Sequence, residues 1–205
     1  MQVLCSTLGA LNVQGNAAIG ISNRNDGGGG GTTGTDAIVT VQADSISVGG
    51  ELDGFVSANG GHIGNIGALV FNVTGNLHSG AGMFFETQAA AFNGSGGPLT
   101  PGFIGSNALV GVNAGSITSD GFIDGDILTT NGGHIVGNAS VLLNATGGDI
   151  NGTQGIAGVI SLSGGGKIDA SALVVLNAQN IITASTATGT PGVDAMALEA
   201  SIIQT

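Results

Sequence analysis

Tryptophan and tyrosine are absent from this chain of 205 residues, cysteine occurs once, and only two residues carry a fixed positive charge. Each shortage excludes something. A compact globule of this length normally buries several large aromatics and displays more charge than the 7% found here. A nucleic-acid binder needs a basic footprint, and Arg24 and Lys167 against 13 acids cannot form one. The resulting net charge of -11 also repels an anionic membrane surface. Cys5 has no second cysteine to pair with, so no internal disulfide exists; that fits a cytosolic protein or a bacterial exterior. No run of 18 apolar residues occurs, so no membrane-spanning helix and no membrane insertion are expected. Residues 1–12 have neither a basic start nor a clear cleavage site and are not read as a signal peptide. The chain is then expected either to avoid that route or to be a piece of a longer protein.

Glycine is the surplus: 41 residues, about three times its usual share, with no Gly-X-Y triplet to suggest collagen. The composition is also not that of a disordered chain, because 41% is hydrophobic and those residues alternate. The alternation is organised in copies. Ala139-Ser-Val-Leu-Leu-Asn-Ala recurs as Ala172-Leu-Val-Val-Leu-Asn-Ala, Ala108-Leu-Val-Gly-Val-Asn-Ala, Gly67-Ala-Leu-Val-Phe-Asn-Val and Ala37-Ile-Val-Thr-Val-Gln-Ala, and a worn copy is read at residues 9–16. Copies starting at 9, 37, 67, 108, 139 and 172 are separated by 28, 30, 41, 31 and 33 residues. A near-constant step in this range marks a repeat architecture.

A second column runs between the copies. Asn59-Gly-Gly-His-Ile63, Asn131-Gly-Gly-His-Ile135 and Gly164-Gly-Gly-Lys-Ile168 share it, with Ile104 and Ile202 marking the same point in the other repeats. Two columns keeping one register imply a coil with two main strands, each followed by a glycine-containing turn and a short Ile-centred strand. Within a main strand Val110, Val141 and Val174 fall on one face and Asn113, Asn144 and Asn177 on the other. One coil cannot bury its own apolar face; stacked coils can, about 4.8 Å apart. The expected fold is therefore all-β: a right-handed, single-stranded parallel β-helix of about six coils of roughly 31 residues each. It forms a single domain over 1–205, with 1–36 an irregular first coil and Gly-rich loop and 37–205 regular. Gln42, Asn72, Asn113, Asn144 and Asn177 are expected to form a side-chain ladder. The long step after residue 67 places a ten-residue excess within 82–101, which holds Pro98 and Pro101. A second loop is expected over 183–193 with Pro191.

These strand-Asn-Ala-x-Gly-x-Ile and Asn-Gly-Gly-x-Ile units, over about residues 37–204, resemble the β-helical shafts of filamentous-haemagglutinin-like exoproteins and autotransporter passengers of bacteria. The resemblance implies export, a rod-like shaft at the cell surface, and adhesion to glycans or proteins of other surfaces. Neighbouring solenoid segments of a longer chain are a further expected partner.

Candidate chemistry is sparse. His62 and His134 share a column, but Phe103 stands between them, leaving about 10 Å, too far for one metal. Gly31-Thr-Thr-Gly-Thr-Asp36 approaches a calcium turn but occurs once, and turn chemistry explains it as well. No cofactor is implied. A lyase would need a basic constellation that two distant cations cannot supply. A hydrolase would use paired carboxylates, and Asp120, Asp124 and Asp126 are the one dense acidic set, with Asp149 expected a coil above them. The leading expectation is a non-catalytic adhesive shaft. The alternative is a carbohydrate-active β-helix working at those three aspartates.

Overall fold

The computed structural model describes residues 1–24, 32–92 and 99–183, and the backbone of Met196–Ala200. It is a parallel β-solenoid; among the described residues there is no helix. Each coil contributes one strand to each of four sheets. Sheet A stacks β1 (Gln2–Ser6), β5 (Ala37–Ala43), β9 (Gly67–Val73), β13 (Ala108–Ala114), β17 (Ala139–Ala145) and β21 (Ala172–Asn177). Sheet B stacks β2 (Ala10–Val13), β6 (Ser45–Val48), β10 (Asn76–Ser79), β14 (Ser116–Ser119), β18 (Ile150–Gly152) and β22 (Ile181–Thr183). Sheet C stacks β3 (Ala17–Arg24), β7 (Leu52–Asn59), β11 (Met83–Ala90), β15 (Phe122–Thr130), β19 (Gly155–Ser163) and β23 (Met196–Ala200). Sheet D stacks the short strands β4 (Thr32–Thr33), β8 (His62–Ile63), β12 (Phe103–Ile104), β16 (His134–Ile135) and β20 (Lys167–Ile168). Five turns are complete in four strands, slightly fewer than the six coils expected, because the sixth supplies described strands to sheets A, B and C only.

The two sequence columns are the register of the stack. Val39, Leu69, Val110, Val141 and Val174 follow one another through sheet A, and Ile63, Ile104, Ile135 and Ile168 through sheet D. Their side chains point inward and, from Val39 to Val141 and from Ile63 to Ile135, are buried. Sheet C faces sheet A across this interior. Its inward column reads Gly54, Phe85, Gly125, Gly158. The glycines flanking Phe85 leave its ring room to meet Phe71 edge-on at 5.0 Å.

Glycine at the corner between sheets C and D explains the Asn-Gly-Gly motif. Gly60 and Gly132 have φ of 66° and 82°, a backbone conformation that a side chain opposes. The glycine after each, Gly61 or Gly133, instead sits against the coil beneath. A Cβ on Gly133 would lie 1.8 Å from the Ala89 carbonyl oxygen.

Two expectations need correction. The copy placed at residues 9–16 is not in the first column: Ala10–Val13 belongs to sheet B, opposite Ser45–Val48, and β1 takes the sheet A place with Gln2 opposite Ile38. The first coil is longer than its neighbours because residues 25–31 separate β3 from β4. Nor does the ten-residue excess begin at Gly82. Met83–Ala90 is a regular sheet C strand, and the extra length lies between Ala90 and Phe103. Both extensions therefore leave from the same corner, where the other coils turn in two or three residues. Phe92 and Thr100 close the base of the second with two backbone hydrogen bonds of 3.0 Å, and the Arg24 guanidinium lies 4.0 Å above the Phe92 ring. Pro98, Pro191 and Ile202 lie outside the described residues.

Candidate functional site

Alternation on β15 sends Ile123, Gly125 and Ile127 inward and Asp124 and Asp126 outward, so both carboxyls stand on the outer face of sheet C. Parallel register brings a third acid to them. Glu86 on β11 lies directly beneath Asp126, with Phe84 beneath Asp124. The next coil covers the pair with Ala157 and Val159, and Phe55 underlies Glu86. Phe84 and Phe122 remain exposed on this face at 37% and 43%.

This apolar frame governs the electrostatics. All three acids are partly buried between hydrophobic neighbours, and burial disfavours the charged form. It is the main cause raising the Glu86 carboxyl above its ordinary range, with the Asp124 charge second. Burial also raises Asp124, which a hydrogen bond to Asp126 partly offsets. Asp126 is pushed up to about 8, by burial first and then by Asp124 and Glu86. Burial and the neighbouring carboxyls thus favour the protonated form of Asp126 at neutral pH, and one oxygen of each aspartate is buried without a partner. The neighbours contribute no cation: Arg24 lies over Phe92, and Lys167 pairs with Asp169 at 2.6 Å. Adjacent carboxyls whose proton affinities burial has raised are groups that acid–base chemistry can use.

The structure places the sequence candidates differently from one another. Asp124 and Asp126 are brought together. Asp120 is not: it is exposed at the turn before sheet C, its N–H donating to Ser79 and its carbonyl accepting from the Thr153 hydroxyl. Asp149 does not lie above the acidic face. It sits at the corner between sheets A and B, accepting from the Asn180 amide at 2.8 Å. Glu86 was missed because it precedes Asp126 by a coil whose length is irregular. Among the described residues, no three His, Cys, Asp or Glu converge as a metal set.

The remaining candidates serve packing. His62, Phe103 and His134 stack edge-on along sheet D, with ring centres 4.6 and 5.4 Å apart. His134 reaches Asp169 at 2.8 Å, and Lys167 with His134 holds that exposed carboxylate below its ordinary range. Cys5 is half-buried beside an apolar cavity of ≈ 160 Å³ in the first two coils. Along the outer face of sheet A the asparagine amides form the ladder: Asn113 donates to Asn72 at 3.3 Å, Asn144 to Asn113 at 3.1 Å and Asn177 to Asn144 at 2.8 Å. Gln42 stands in the same column, opposite Asn72. A second ladder had no signal in the strand pattern. The side-chain oxygens of Asp36, Asn107 and Asn138, each just before a sheet A strand, accept the backbone N–H of Ile66, Asn138 and Ser171 in the next coil.

These features define a class, the parallel β-solenoid. No family model, no curated protein and no solved structure matches the chain.

Proposed function

We propose that the chain is a non-catalytic, extracellular structural and adhesive shaft of a bacterial surface or secreted protein, contacting glycans or proteins of other surfaces. The observation that carries this reading is the uninterrupted register of the stack. Five complete turns repeat with the same columns, held by backbone ladders and by two side-chain ladders, while both extensions leave from one corner. Such a stack supplies reach and stiffness, and irregular connections on one edge supply variable contact surface. Export and adhesion enter from the resemblance to haemagglutinin-like shafts. A glycan array and a cell-binding assay with the purified chain test the reading: retention on a defined glycan or cell type is expected, and no retention on any surface contradicts it.

The acidic face favours a second reading, a carbohydrate-active β-helix. Asp126 would act as the protonated acid, Asp124 as the carboxylate, and the exposed rings of Phe84 and Phe122 as stacking surfaces for sugar. A screen for reducing-end release from acidic and neutral polysaccharides separates the two. Turnover that Asp124→Asn abolishes would establish the second and overturn the first.

A further inference from the structure

The outer face of sheet A is broad and largely apolar, whereas the outer face of sheet B, also without Asp, Glu, Lys or Arg, is narrow and mainly polar. The sheet A face carries no charged residue at any of its eighteen outward positions, three columns in six strands. Two columns are mainly apolar. Leu4 and Leu173 are 68% and 55% exposed, and Ile38, Leu109, Leu142 and Val175 are partly exposed. The third column is the asparagine ladder, whose amides are directed along the stack to one another. Gly111, buried between Val70 and Leu142, tolerates a Cβ, which meets nothing closer than the Leu109 side chain at 3.9 Å.

We propose that two copies of this chain pair face to face through sheet A. Charge selects the occupant. Two chains of net charge -11 repel wherever their acids meet, and the acids on described strands lie on sheet C: Asp53, Glu86, Asp124, Asp126 and Glu199. The acids near sheet A stand at its rim and off its face: Asp36 and Asp149 accept from the Asn65 and Asn180 amides, Asp169 pairs with Lys167, and Asp44 is exposed at the corner toward sheet B. Sheets A and B both lack acids on their outer faces, and of the two sheet A is the one with apolar area to bury, so it is the face on which two like-charged copies gain most against their repulsion. A basic partner would prefer sheet C. A sugar would find no aromatic ring on sheet A.

Size fits as well. Strands of five to seven residues at about 3.3 Å each, in six rungs about 4.8 Å apart, give roughly 620 Å² per copy. The pair would bury about 1,240 Å², at the lower end of the range of stable interfaces. Two such sheets pack about 10 Å apart with strands nearly aligned, so the outward leucines of the two copies can interdigitate. The pairing does not rest on the adhesive reading.

The test is sedimentation velocity on the full chain from about 1 to 100 µM, at low and high salt. The expected species has twice the 19.6 kDa chain mass and is favoured by added salt, which screens the like-charged rims. Leu142→Glu and Gly111→Glu should each weaken association about 100-fold or more, since a charge would be buried without a partner. Phe84→Ser on sheet C should leave it unchanged. Far-UV circular dichroism confirms folding; should Leu142→Glu unfold, Gly111→Glu decides, because a Cβ at that outward position meets only ordinary contacts. A chain that stays monomeric at about 100 µM, or a dimer indifferent to both glutamates, overturns the proposal. So does a dimer broken by Phe84→Ser, which would place the interface on sheet C. A monomer that binds a polysaccharide surface and loses it on Leu142→Glu would assign the face to that ligand instead.

Discussion

Replacing Gly133 by alanine adds one methyl group, yet the stack should respond strongly. The new Cβ would stand 1.8 Å from the Ala89 carbonyl oxygen, whereas ordinary contact begins at 3.4 Å, a shortfall of 1.6 Å. The obstacle is backbone, so no rotamer change relieves it. The corner must lift from the coil beneath, and two bonds span that joint: His134 N–H to Gly102 at 3.0 Å and Ala91 N–H to Thr130 at 3.1 Å. Stretching either by even half the shortfall takes it outside hydrogen-bonding range. Each leaves a donor and an acceptor poorly satisfied, at about 1–3 kcal/mol, so the two together cost about 2–6 kcal/mol. Gly147 is the control. It is exposed, a Cβ there meets nothing within 4 Å, and Gly147→Ala should be neutral or stabilising by up to about 1 kcal/mol. Urea unfolding followed by far-UV circular dichroism suits a chain without Trp or Tyr. With a slope of about 2 kcal/mol/M, Gly133→Ala should lower the midpoint by roughly 2 M. A midpoint indistinguishable from that of Gly147→Ala would refute the close-approach argument.

The interior, the acidic face and the ladder give three further tests. Phe85→Ala empties the space between Gly54 and Gly125 and should cost about 3–5 kcal/mol, whereas Phe84→Ala on the same strand, facing out, should cost less than about 1 kcal/mol; chemical denaturation compares them. Asp126 has its folded pKa raised to about 8 from 3.8, so the folded state holds the proton longer than the unfolded chain does. Stability is then fully present below the unfolded value and is lost as pH rises through the folded one, between about 4 and 8. Asp126→Asn should accordingly raise the melting temperature at pH 8 more than at pH 4, and more than Asp120→Asn, an exposed acid, does at either pH; equal gains at both pH values would contradict the burial account. Asn144→Ala removes one rung from the middle of the ladder and should cost about 1–2 kcal/mol, since Asn113 and Asn177 each lose an amide partner; an unchanged urea midpoint would show that the ladder is ornamental.

Much of the architecture was legible because a solenoid writes its tertiary contacts as a sequence period. Val110, Val141 and Val174 meet because each is one step further along the same pattern, and the Ile63 to Ile168 column marks an independent register. Legibility failed where the period broke. The length of the first coil moved the copy read at residues 9–16 into the wrong sheet, and β1, with alternate side chains exposed, lacks the buried apolar face that identifies the other copies. The acidic face was half legible. Asp124 and Asp126 share a strand face through simple alternation, but Glu86 joins them across the long step and Asp120 leaves them because the chain turns before residue 122. The repeated Gly-Gly pair was visible while its cause was not, since the carbonyl that forbids a side chain at Gly133 belongs to a residue 44 positions earlier.

Methyl-labelled nuclear Overhauser spectroscopy on the valines measures the stacking itself. Val110 should show cross-peaks to Val141, and Val141 to Val174, one rung or about 4.8 Å apart, with none between Val110 and Val174 across two rungs. Missing adjacent cross-peaks, or a strong Val110–Val174 contact, would mean that the coils do not stack in this register.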